Sequence, residues 1–118
     1  MIEGSQIDWG GHANESDYIV SEFIEFDKVI GKILEWARKD KNTLVIVTAD
    51  HETGGFALSS AKVRKQDDYR GIAPTFSTGG HTAALIPVFA YGPGAERFKG
   101  IYPNNEIFAK MLGGGTVQ

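Results

Sequence analysis

The sequence predicts an α/β fold. Three observations carry that expectation: an apolar stripe at helical spacing from about Asn14 to Asp40, a continuous apolar, β-branched run at 43–48, and polar, glycine-rich residues just beyond it. A long helix feeding a strand covered on both faces is the pattern of a parallel sheet with helices on either side.

Residues 1–13 are glycine-rich and polar, with a short apolar hint at Ile7 and Trp9. Adjacent Gly10 and Gly11 argue for a loop there. The helix that follows gathers Tyr18, Ile19, Phe23, Phe26, Val29, Ile30, Ile33, Leu34 and Ala37 on one face. Asn14 or Ser16 suits its start, with Glu15 and Asp17 at the positive end of the dipole, and Arg38 and Lys39 at the other. Lys41 and Asn42 make the turn into the strand 43–48, which ends in Ala49-Asp50-His51-Glu52-Thr53-Gly54-Gly55. Residues 59–73 are charged without a convincing period and read as a surface excursion. A second strand candidate covers 84–91, with Pro87 marking an edge or an irregular start. A short last helix runs from Asn104 or Asn105 to Leu112 and is stopped by Gly113-Gly-Gly115.

The chain has 118 residues, 42% hydrophobic and 23% charged, which fits one ordinary globular segment and excludes disordered or collagen-like classes. A formal charge of −3 with no basic block argues against nucleic acid or an anionic membrane as partner. Without cysteine there are no disulfides, thiolate metal sites or cysteine nucleophiles. No apolar run approaches the roughly 18 residues that span a bilayer, and the first residues, MIEGSQIDWGGH, are not a signal peptide.

All three histidines share one setting. His12 follows Asp8 by four residues, His51 adjoins Asp50 beyond the strand, and His81 follows Gly79-Gly80. Imidazole with carboxylate, and no thiolate, is a donor set for zinc or another borderline divalent metal. Glu3 adds a hard oxygen suited to magnesium. Asp50 and His51 also sit where open α/β sheets gather their ligands, past the carboxyl end of a strand. A single loop histidine is more often merely solvated or hydrogen-bonded. The shared setting of three shifts the balance toward a divalent-metal site.

The stretch Glu3-Gly-Ser-Gln-Ile-Asp-Trp-Gly-Gly-His12-Ala-Asn resembles a signature of the alkaline phosphatases. Thr48-Ala-Asp-His51-Glu-Thr-Gly-Gly55 is similar to a second and Gly79-Gly-His81-Thr to a third, in the family's order. The resemblance implies a place in a three-layer α/β/α sandwich with a mainly parallel sheet. It implies that Asp8, His12 and His81 hold one zinc, which binds substrate phosphate and activates water, and that Asp50 and His51 are two ligands of a second. Glu3 would be one ligand of a magnesium ion, with Trp9 where some relatives carry lysine or histidine. The activity implied is hydrolysis of phosphate monoesters through a phosphoserine, by a periplasmic or secreted parent enzyme.

In the family the serine nucleophile, a bridging aspartate and a phosphate-gripping arginine precede the part resembled here. No stretch matches the nucleophile motif, and Ser5, Ser59, Ser60 and Ser77 are not candidates for it; Arg64, Arg70 and Arg97 read as surface charge. The chain is therefore expected to be the carboxyl-terminal metal-binding segment of a longer enzyme, inactive alone and prone to self-association through uncovered sheet edges. The alternative is a standalone, non-catalytic metal-binding or structural module.

Overall fold

The computed structural model describes residues 1–63 and 66–113; Arg64, Gly114 and Gly115 lie outside them. In chain order the elements are α1 (Gln6–Ala13), α2 (Ser16–Asp40), β1 (Val45–Val47), β2 (Glu52–Thr53), β3 (Ala57–Val63), β4 (Gln66–Thr75), β5 (His81–Thr82), β6 (Phe89–Tyr91) and α3 (Glu106–Met111). They divide into two compact units, Met1–Phe26 with His51–Leu85, and Asp27–Asp50 with Ile86–Gln118. Among the described residues no helix is long and apolar enough to cross a membrane.

The first unit corrects two expectations. Where Gly10-Gly11 predicts a loop, the chain is helical from Gln6. Each glycine costs a helix about 1 kcal/mol, but here each permits a close approach. A Cβ on Gly10 would lie 3.0 Å from Ile19 Cγ1, and one on Gly11 would lie 2.8 Å from the Thr53 carbonyl oxygen. The glycines are the contact surface of α1. Asn14, in the left-handed region at φ 56°, ends the helix with its N–H bonded to the Gly11 carbonyl at 3.1 Å. Tyr18 of α2 donates to Gln6 Oε1 at 2.7 Å, and Ile19 is buried.

The second correction concerns 59–73, expected as a surface excursion with no convincing period; the excursion has regular structure. Its described residues lie in the antiparallel strands β3 and β4, which pair from Ala57↔Thr75 to Val63↔Gln66 with an irregularity between Ser60 and Ala61. The bulge shifts the side-chain alternation partway along, which hides a period of two from a sequence scan. Shorter β2 and β5 pair antiparallel as Glu52↔Thr82 and Thr53↔His81.

In the second unit β1 pairs antiparallel with β6, as Val45↔Tyr91, Ile46↔Ala90 and Val47↔Phe89. The run at 43–48 was expected to be covered on both faces, yet β1 is half-buried throughout. Only 89–91 of the expected strand 84–91 is extended in the sheet, and the Pro87 carbonyl instead accepts from the Thr48 hydroxyl at 3.3 Å. The fold is α/β, but the described sheets are three antiparallel pairs rather than a mainly parallel sandwich. An apolar β-branched run specifies a strand and leaves the direction of its neighbour open. At the end of α2, Asp40 accepts from the Asn42 N–H at 3.1 Å and the Thr43 hydroxyl at 2.6 Å, turning the chain into β1. Ala37 and Phe98 are buried, whereas Phe89 is 64% exposed. The apolar stripe of α2 is likewise only partly covered, with Phe23 60% exposed.

Candidate metal centre

The site is built in the first unit from α1, β2, β5 and the residues between. Asp8 and His12 are four apart on α1, so they share a helix face. The Asp8 Oδ1 to His12 Nε2 distance is 3.5 Å. Both were placed in a loop by sequence; the helix aligns them more strictly than a loop would.

His81 arrives on β5, opposite Thr53 of β2. Its Nε2 lies 3.3 Å from His12 Nε2 and 3.9 Å from Asp8 Oδ1. Ligand atoms at about 2.0–2.1 Å from a tetrahedral zinc stand about 3.3 Å from one another. The three separations of 3.3, 3.5 and 3.9 Å thus fit donors facing one small cation.

The His12 tautomer follows from its other nitrogen. Nδ1 lies 2.8 Å from the Gly79 carbonyl oxygen, which can only accept. Nδ1 therefore carries a hydrogen, and in the neutral ring the lone pair is on Nε2, the nitrogen that faces Asp8 and His81. A backbone carbonyl holding the far nitrogen is the usual way a ligating imidazole is oriented.

His51 joins the same cluster. Its ring stacks on that of His81, with centroids 3.6 Å apart and planes at 18°. Asp8, His51 and His81 each offer a donor atom, all within 4.8 Å of one another. Four predicted residues, Asp8, His12, His51 and His81, are therefore brought together. Glu3 is exposed and outside this group, and exposed Asp50 belongs to the second unit.

Two residues inside the recognised motif were missed by sequence reasoning. Thr53 donates its hydroxyl to Asp8 Oδ1 at 2.6 Å and lies 3.1 Å from His51 Nδ1. Glu52 accepts from the N–H groups of Gly55 at 3.1 Å and Phe56 at 3.0 Å, and from the Thr82 hydroxyl. It pins the turn after β2 to the strand that carries His81. Burial raises the pKa of the Glu52 carboxyl, but the Thr82 hydroxyl, the Phe56 and Gly55 N–H groups and nearby His51 together outweigh it and leave it lowered. The Gly54 N–H to Gly80 carbonyl bond, 2.8 Å, braces the same two segments. The only signal for either residue in the sequence was its position between two candidate ligands and a pair of glycines.

The family model described as alkaline phosphatase matches residues 1–70. The chain is 30% identical to alkaline phosphatase 3 of Bacillus subtilis, over 91% of this chain and 37% of that protein. It is 31% identical to the alkaline phosphatase of Escherichia coli K12, over 94% of this chain and 26% of the relative. Among solved structures, the alkaline phosphatase of the Antarctic bacterium TAB5 superposes with a TM-score of 0.92 at 64% identity, covering 94% of this chain and 33% of that one. The chain thus spans between a quarter and two fifths of these relatives' lengths. With the family model matching residues 1–70 and relatives 30% and 31% identical over 91% and 94% of its length, this chain belongs to the alkaline phosphatase family.

Proposed function

We propose that this chain is the carboxyl-terminal, metal-binding part of a phosphate monoester hydrolase that works through a phosphoserine supplied by the rest of a longer protein. On this reading the 118 residues alone have no useful phosphatase activity. β1 and β6 would take further, parallel neighbours from that longer chain, in a three-layer α/β/α sandwich. Export of the parent enzyme to the periplasm or medium rests on the family resemblance alone.

The observation that carries the reading is the convergence of Asp8 Oδ1, His12 Nε2 and His81 Nε2 at separations suited to one cation. We assign these three to one zinc, Asp50 and His51 to a second, and Glu3 to a magnesium ion. A variant of the TAB5 enzyme is described with magnesium bound, which supports a magnesium role here. Zinc in such a pair of sites supplies Lewis-acid polarisation of phosphate oxygens and a nucleophile near neutral pH. The chain's own residues do the holding. Asp8 sets a carboxylate oxygen 3.5 Å from His12 Nε2 and 3.9 Å from His81 Nε2, Gly79 fixes the His12 ring, and Glu52 fixes β2 against β5.

Two measurements test the proposal. Zinc titration calorimetry of wild type against His81→Ala should show the variant at least about 10-fold weaker; equal binding would remove the zinc site. The purified chain with zinc and magnesium should leave a chromogenic phosphate monoester intact. Turnover at rates typical of enzymes, about 1 per second or more, would overturn the expected inactivity.

A further inference from the structure

We propose that Thr53 is a positioning residue whose single hydroxyl holds Asp8 and His51 together in their ligating forms, an inference that rests on the metal-binding reading above. Thr53 Oγ1 donates to Asp8 Oδ1 at 2.6 Å and lies 3.1 Å from His51 Nδ1. A hydroxyl has one proton to give. With that proton directed at the carboxylate, the oxygen can only accept from the imidazole, so the ring hydrogen of neutral His51 sits on Nδ1. Nε2 is then the basic nitrogen, the one able to bind a metal. For His12 the Gly79 carbonyl does the same work. One side chain thereby couples the carboxylate assigned to one zinc with the imidazole assigned to the other.

The fold keeps that hydroxyl aimed. Thr53 is locked in register with His81 across β2 and β5. Its Cβ and Cγ2 lie against Gly11 of α1 so closely that a Cβ on Gly11 would meet them at 2.9 and 3.0 Å. A β-branched side chain with few χ1 options, wedged on its methyl side, has little freedom to turn its oxygen elsewhere. Valine would keep that wedge and lose the hydroxyl, while serine would keep the hydroxyl and lose the methyl.

Zinc affinity of the full 118-residue chain, read by competition with a chromogenic chelator, separates these roles across wild type, Thr53→Val, Thr53→Ser and His81→Ala. The His51 tautomer is read in zinc-free buffer by long-range proton–nitrogen correlation NMR. Thr53→Val should weaken zinc binding by about 10- to 100-fold, the range for losing a hydrogen-bond partner of a metal ligand. It should also release His51 from the Nδ1-protonated tautomer. Thr53→Ser, which keeps the hydroxyl but loses the methyl that aims it, should fall between wild type and Thr53→Val in both. Unchanged binding and tautomer in Thr53→Val, or equal losses in the valine and serine variants, would overturn the role of the hydroxyl. If His81→Ala weakens zinc binding and Thr53→Val does not, only this inference falls; if wild type and His81→Ala bind alike, the metal reading falls with it.

Discussion

Replacing glycine by alanine inside a helix ordinarily stabilises it by about 1 kcal/mol, and this chain offers the same change in two opposite settings. At Gly31 of α2 an added Cβ would meet nothing within 4 Å, so Gly31→Ala should be stabilising by that ordinary amount. At Gly11 of α1 the methyl would lie 2.8 Å from the Thr53 carbonyl oxygen and 2.9 Å from its Cβ. Neither is the flexible end of a side chain. To reach an ordinary contact of 3.4 Å the helix and β2 must part by about 0.6 Å. Overpacking of this kind costs about 1–3 kcal/mol, more than the propensity gain, so Gly11→Ala should be destabilising by up to about 2 kcal/mol. The same displacement would stretch the 2.6 Å bond from Thr53 to Asp8 toward about 3.2 Å, long for a hydroxyl donor. Urea denaturation followed by far-ultraviolet circular dichroism would show midpoints moving in opposite directions for the two variants. A midpoint raised by Gly11→Ala as much as by Gly31→Ala would refute the close approach of α1 to β2.

Three further outcomes are expected. Because the Glu52 carboxyl is lowered from its ordinary 4.5, its ionised form stabilises the fold above that pH, and the contribution is lost as pH falls through the folded-state value. Glu52→Gln should therefore be less stable than wild type at pH 7, with the gap closing below about pH 4.5; a gap independent of pH would contradict this. Removing zinc with a chelator should lower the unfolding midpoint of wild type and leave that of His81→Ala nearly unchanged, since a ligand stabilises only the state that binds it; equal shifts would count against the site. The exposed Phe23 and Phe89, with the edges of the β1–β6 pair that carry no further strand among the described residues, should drive self-association visible in sedimentation velocity, and a clean monomer across concentrations would speak against open edges.

How far the sequence could be read differs element by element. The stripe from Tyr18 to Ala37 predicted a helix that the structure bounds at Ser16 and Asp40, and Gly113 stops α3 as glycine at a helix end does. The candidate site was legible in part: Asp8, His12, His51 and His81, named from the sequence, come together, whereas Asp50 and Glu3, named with them, lie outside that group. By contrast, the pairing of β3 and β4 was hidden by its irregular register at Ser60. The mainly parallel sheet expected around 43–48 also gave way to an antiparallel pair.

The sequence by itself determined the donor types, the order of the motifs and the long helix, since these depend on residue identity and short-range periodicity. Tertiary structure alone decided that Gly10-Gly11 is a helix surface rather than a break, that His51 stacks on His81, and that Thr53 reaches Asp8. Those outcomes rest on contacts between residues distant in the chain: Thr53 with Gly11, 42 positions apart, His81 with His51, 30 apart, and Thr53 with Asp8, 45 apart. Local propensity sees a glycine pair as about 2 kcal/mol against a helix. The partners show why two side chains are absent: Ile19 of α2 lies against Gly10, and Thr53, 42 positions away, lies against Gly11 and brings β2 to α1.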